Sequence, residues 1–76
     1  MVVAYVMVKA STGDAERIKA EMNDVDGVVH TNVVAGDVDF IAKVDVGSPG
    51  DVREAVADHV RTIEGVADTQ TYIAMD

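Results

Sequence analysis

An α+β fold with the element order βαββαβ is predicted by three features of the sequence. Four stretches rich in β-branched residues recur along the chain, about Val2–Ala10, Val28–Val34, Val38–Val46 and Thr69–Met75. Two amphipathic stretches that echo each other, GDAERIKAEMNDVDGV (Gly13–Val28) and GDVREAVADHVRTIEGV (Gly50–Val66), separate the first from the second and the third from the fourth. A short Ala35-Gly36-Asp37 turn joins the middle two as a hairpin. A strand-helix-strand unit used twice is the ferredoxin-like, split-βαβ arrangement. Right-handed crossovers then place strands one and three at the centre of a four-stranded antiparallel sheet, with both helices on one face.

Each element carries its own signals. In strand one, Ala4, Val6 and Val8 alternate with Val3, Tyr5 and Met7, so both faces are apolar over most of its length. Thr12 or Asp14 opens the first helix as N-cap, Glu16 lies in its first turn, and Ala15, Ile18, Met22 and Val25 recur at helical spacing. Gly27 closes it. Strand three alternates Val38, Phe40, Ala42, Val44 and Val46 with the charged Asp39, Lys43 and Asp45, and Ile41 interrupts the pattern. The second helix begins after GSPGD, with Ser48 or Asp51 as cap, and carries Val52, Ala55, Val56, Val60 and Ile63 on one face until Gly65 ends it. If Ala4, Val6 and Val8 face the helices, then Val3, Tyr5, Met7 and Ile41 form an apolar patch on the opposite face. A sheet face open to water should read polar, so this one predicts a cover: a second copy, two sheets closing into a dimeric α+β barrel.

At 76 residues the chain is one domain, residues 1–76, near the lower size limit for folding alone. It has no cysteine to staple it, which raises the expectation of self-association. The formal net charge is −8, and the six basic residues are scattered rather than clustered, which argues against direct binding of nucleic acid. Ten Asp against three Lys, among many small Ala, Val and Thr residues, resembles the composition of a halophilic protein. Met1 runs straight into a strand without a basic leader, and no apolar run approaches membrane-spanning length, so a cytoplasmic protein without membrane contact is expected.

Most site chemistry is missing from the sequence. His30 and His59 have no Cys or further His to complete a metal site. Ser11 and Ser48 lack a His-Asp constellation and are accounted for as helix-capping residues, so neither catalytic residues nor a cofactor is expected. The glycines sit at turns and helix ends rather than in a phosphate loop, and Tyr5 and Phe40 are too few for an RNA-reading sheet. Two local features remain: GDVD (Gly36, Asp37, Val38, Asp39) at the hairpin, and TQT with Thr69 and Thr71 at the start of the last strand. A carboxylate accepts from an ammonium while hydroxyls and turn N–H groups donate to a carboxylate, a combination that suits a zwitterion. The same residues also fit a plain turn acid at Asp37, an exposed strand-start charge at Asp39, and β-propensity at the two threonines.

The stretches AYVMVKASTGDAERI, VVAGDVDFIAKVDV and IEGVADTQTYIAMD together resemble the C-terminal ligand-binding domain of the Lrp/AsnC family, the module regulating amino-acid metabolism, over essentially the whole chain. The resemblance implies a ferredoxin-like subunit that dimerises through its sheet and assembles into rings of dimers, with an amino-acid effector between neighbouring subunits. It implies a stand-alone form without the DNA-reading helix-turn-helix, with full-length regulators of the same family as partners. Gly36 then matches the hairpin glycine, Asp39 the acid contacting the effector amine, and Thr69 and Thr71 the threonines near the same pocket. Many members carry Tyr where this chain has Val38, which removes a ring and a hydroxyl from the site. The expected function is a non-enzymatic regulatory module that binds an amino acid or related small effector. A ligand-independent oligomerisation adaptor and a small dimeric α+β barrel enzyme are the alternatives.

Overall fold

In the computed structural model, which describes residues 1–75, the chain runs β1 (Val2–Ala10), α1 (Ala15–Asn23), β2 (Val28–Val33), β3 (Phe40–Val46), α2 (Pro49–Glu54), a π-helical segment (Ala55–Val60) and β4 (Val66–Ile73). Asp76, the last residue of the closing motif, lies outside the described residues. The strands form one sheet in the order β2-β3-β1-β4, every neighbouring pair antiparallel. This is the ferredoxin-like arrangement, with β1 and β3 central and β2 and β4 at the free edges.

The core lies between the sheet and the helices. Ala4, Val6 and Val8 of β1 sit beside Val44, Ala42 and Phe40 of β3 and are fully buried. Ile18 and Met22 of α1 cover them at one side, and Val52, Val56 and Val60 at the other. Burying one such aliphatic side chain stabilises by roughly 1.5–3 kcal/mol, so this layer carries the fold. Even-numbered residues of β1 therefore face the helices, and Val3, Tyr5 and Met7 face away.

Local chemistry fixes the helix ends. Ser48 caps α2, its hydroxyl accepting the Asp51 N–H at 3.2 Å, and Pro49 occupies the first turn. Asp14 stands at the N-cap of α1 without a side-chain capping bond. Arg17 instead ties α1 down, pairing with Asp14 and Glu21 and donating to the Glu64 carbonyl at 2.9 Å. Gly27 and Gly65 follow the helices with φ of 95° and 99°. At Gly65 an added Cβ would come within 3.0 Å of the Ile18 and Thr12 side chains, so glycine is needed there for space as well as for backbone conformation.

Several elements differ in extent from the sequence expectation. The second helix is not uniform: after Glu54 its turns widen, and the Arg61 N–H reaches back five residues to the Val56 carbonyl at 2.9 Å. An α-helix advances about 100° per residue, so side chains spaced by four drift about 40° per step. The wider turn takes up that drift and keeps Val52, Val56 and Val60 on the core side, while Ile63 is half-buried beyond the helix. The hairpin loop is broader than a three-residue turn: the Val34 N–H donates to the Asp39 carbonyl at 2.9 Å around Ala35–Val38, so β2 stops at Val33 and β3 starts at Phe40. β4 starts at Val66 rather than Thr69 because Val66 pairs with Ala10 and the Ser11 N–H donates to the Gly65 carbonyl at 2.8 Å.

Candidate functional site

The face of the sheet turned away from the helices is apolar at its centre. Met7 lies between Ile41 of β3 and Gln70 of β4, and Tyr5 between Lys43 and Tyr72. Val3, Met7 and Ile41 are half-buried by their neighbours, whereas Tyr5 and Tyr72 stay 39% and 55% exposed. Lys43, Asp45, His30 and Asn32 frame this patch on the β3–β2 side.

At one end of this face a shallow cleft of about 190 Å³ brings Asp37 and Val38 of the hairpin loop next to Lys9 of β1 and Asp68 and Thr69 of β4. Lys9 supplies an ammonium and Asp37 and Asp68 supply carboxylates, the complement of a zwitterion's two ends. The cleft is smaller than the roughly 300–1,000 Å³ that small-molecule sites enclose.

Thr71 is not in that cleft. It projects from the other side of β4, where Thr69, Thr71 and Ile73 border a second cleft of about 480 Å³ beneath Val52, Arg53, Val56 and Arg61. Thr69 thus lines both clefts. Gly36 lines neither. Asp39 is half-buried and engaged with the sheet: its N–H donates to the Val8 carbonyl at 2.9 Å, and its Oδ2 accepts the Ala10 N–H at 2.8 Å. The pairing of β1 with β3 ends at Val8 and Phe40, so the carboxylate satisfies a strand-end donor that has no partner on the β3 side.

The arginines of the second cleft carry no signal in the sequence. They read as two scattered surface cations, and only the packing of the second helix, through its π-helical segment, against β4 sets them beside Thr71. A further depression gathers Asp26, Asp45, Asp51 and Glu54 beside His59. Among the described residues no three His, Asp or Glu side chains are arranged to hold a metal ion, and no helix is long and apolar enough to cross a membrane.

Comparison with known proteins bears on both the fold and the family. The chain matches a protein of Thermus thermophilus with a TM-score of 0.94 at 21% identity, covering 100% of this chain and 95% of that one. It matches AsnC of E. coli with a TM-score of 0.90 at 18% identity, over 99% of this chain and 51% of that one. A transcriptional regulator of Neisseria meningitidis, crystallised as a complex with L-Met, matches with a TM-score of 0.86 at 18% identity, over 99% of this chain and 50% of that one. The chain spans about half the length of those two regulators. A comparison with curated protein sequences finds no match. The family model described as the Lrp/AsnC ligand binding domain matches residues 3–76. By that match the chain belongs to the Lrp/AsnC ligand-binding domain family.

Proposed function

We propose that this chain is a non-catalytic regulatory module that binds an amino acid or related small effector at a subunit boundary and assembles with itself or with Lrp/AsnC-type regulators. The observation that carries the proposal is the distribution of the candidate effector residues around one free edge. Asp37, Val38 and Thr69 border one open cleft, Thr69 and Thr71 the other, and both clefts lie against the edge strand β4. A neighbouring subunit approaching that edge would cover both and complete what one chain leaves open. Gly36 and Asp39 enter this reading as the residues that shape and anchor the hairpin loop, so that Asp37 and Val38 meet the effector.

The apolar patch of Val3, Tyr5, Met7 and Ile41 serves as the dimer face in this reading. Two sheets stacked about 10 Å apart would bury it and form the dimeric α+β barrel. The region between sheet and helices favours a regulator over an enzyme of similar architecture: it is filled by apolar side chains, and His30 and His59 are both exposed outside it. The L-Met complex of the Neisseria meningitidis regulator supports an amino acid as the effector class.

Equilibrium dialysis against an amino-acid panel, with sedimentation velocity on the same samples, tests the proposal. Saturable binding accompanied by a change in assembled mass is expected, because a ligand shifts assembly by its difference in affinity between the two states. No binding at millimolar ligand together with unchanged sedimentation would overturn it.

A further inference from the structure

We propose that the cleft between β4 and the second helix, α2 with the π-helical segment that continues it, takes a small organic dicarboxylate gripped by Arg53 and Arg61. The inference rests on reading the chain as an effector-binding module and names the ligand class of its helix-side cleft.

The charge at this place runs against the rest of the molecule. The chain carries fourteen acidic residues and a formal charge of −8, yet among the described residues neither Arg53 nor Arg61 pairs with a carboxylate. Arg17, by contrast, holds two. The Asp37 and Asp68 carboxylates border the other side of β4, and the helix-side cleft contains no acidic side chain.

The geometry of the helix brings the two cations to one side. Residues eight positions apart on a regular α-helix diverge by about 80° around its axis. Between Arg53 and Arg61 lies the π-helical segment Ala55–Val60, whose wider turns remove part of that divergence, and both side chains end up bordering the same cleft. Widened turns of this kind recur at functional sites.

The remaining walls fit the ligand. Val52, Val56 and Ile73 offer an apolar floor for a short methylene chain, and the Thr69 and Thr71 hydroxyls supply further donors. Each guanidinium presents a planar fork matched to a carboxylate, and at the rise of a regular helix the two side chains start about 12 Å apart along the axis. A ligand with two carboxylates separated by a few methylenes answers both arginines, whereas a single carboxylate leaves one unanswered. The volume of about 480 Å³ lies in the range of small-molecule sites.

Isothermal titration calorimetry on the whole chain tests this, using glutarate, L-glutamate, L-glutamine and inorganic phosphate. Glutarate and L-glutamate should bind at least about tenfold more tightly than L-glutamine, the span of one charge-assisted contact. Arg53→Gln and Arg61→Gln should each weaken both by about tenfold with an unchanged thermal midpoint, since both positions are exposed, while Lys19→Gln on α1 changes nothing. Equal affinity for L-glutamine, indifference to the arginine substitutions, preference for phosphate over glutarate, or no heat from any compound overturns the inference. Binding of L-glutamine alone refutes the dicarboxylate while leaving the effector-binding reading in place. Glutarate binding without any change in assembly supports the dicarboxylate and counts against regulation.

Discussion

The carboxylate of Asp39 does for the end of β1 what a neighbouring strand does elsewhere. It accepts the Ala10 N–H just beyond the point where the pairing with β3 ends. Asp39→Ala should therefore destabilise the fold by about 1–2 kcal/mol, with Asp39→Asn recovering most of the loss because an amide oxygen still accepts, as urea unfolding would register. Equal stability of both variants would mean that water replaces the carboxylate at no cost. Thr31 presents the opposite situation. Its hydroxyl is buried on β2 and finds no partner among the described residues, so Thr31→Val should raise the urea midpoint, by up to about 1 kcal/mol of stability. Neither effect was legible in the sequence. Thr31 looks like any β-branched strand residue, and the partner of Asp39 depends on where the pairing of β1 with β3 ends, which no local pattern encodes. The acids of the hairpin were legible as residue types, but which of them borders the cleft depends on the path of the loop.

The strands and helices themselves follow their periodicities closely, because alternation and three-to-four spacing report directly on which side chains can be buried together. The widened end of the second helix escapes such reasoning. Val52, Val56 and Val60 recur at intervals of four, which an α-helix with some drift and a wider helix without it satisfy equally. Gly65, in contrast, was legible as a helix stop, though not as the residue against which α1 leans. Gly65→Ala should destabilise by about 1–2 kcal/mol, since its φ of 99° disfavours a side chain and a Cβ would press on Ile18 and Thr12. A thermal midpoint within a degree of the parent would show that α1 can shift aside.

For the molecule as a whole, the decisive residue is Ile41, the single break in the alternation of β3. It stands half-buried at the middle of the open face beside Met7. Ile41→Asp should leave the subunit folded and weaken self-association by at least about a hundredfold, because each copy loses an apolar contact and would bury a charge. Sedimentation equilibrium would measure it, and an unchanged association constant would move the interface elsewhere. That this face is apolar at its centre was legible from the alternation of β1 and β3 alone. How the clefts on the two sides of β4 share Thr69 was not, because it depends on the register of the last strand against the first.

The central place of β1 also bears on how the chain comes to fold. It is the first strand made, yet its residues pair with β3 between Phe40 and Val46 and with β4 between Val66 and Ile73. Contacts so distant along the chain must await closure of long loops, which slows folding relative to proteins held by local contacts. During synthesis the apolar Val2–Val8 stretch waits without its outer partner until β4 has emerged, and the last of the four strands to arrive is the one that closes the sheet.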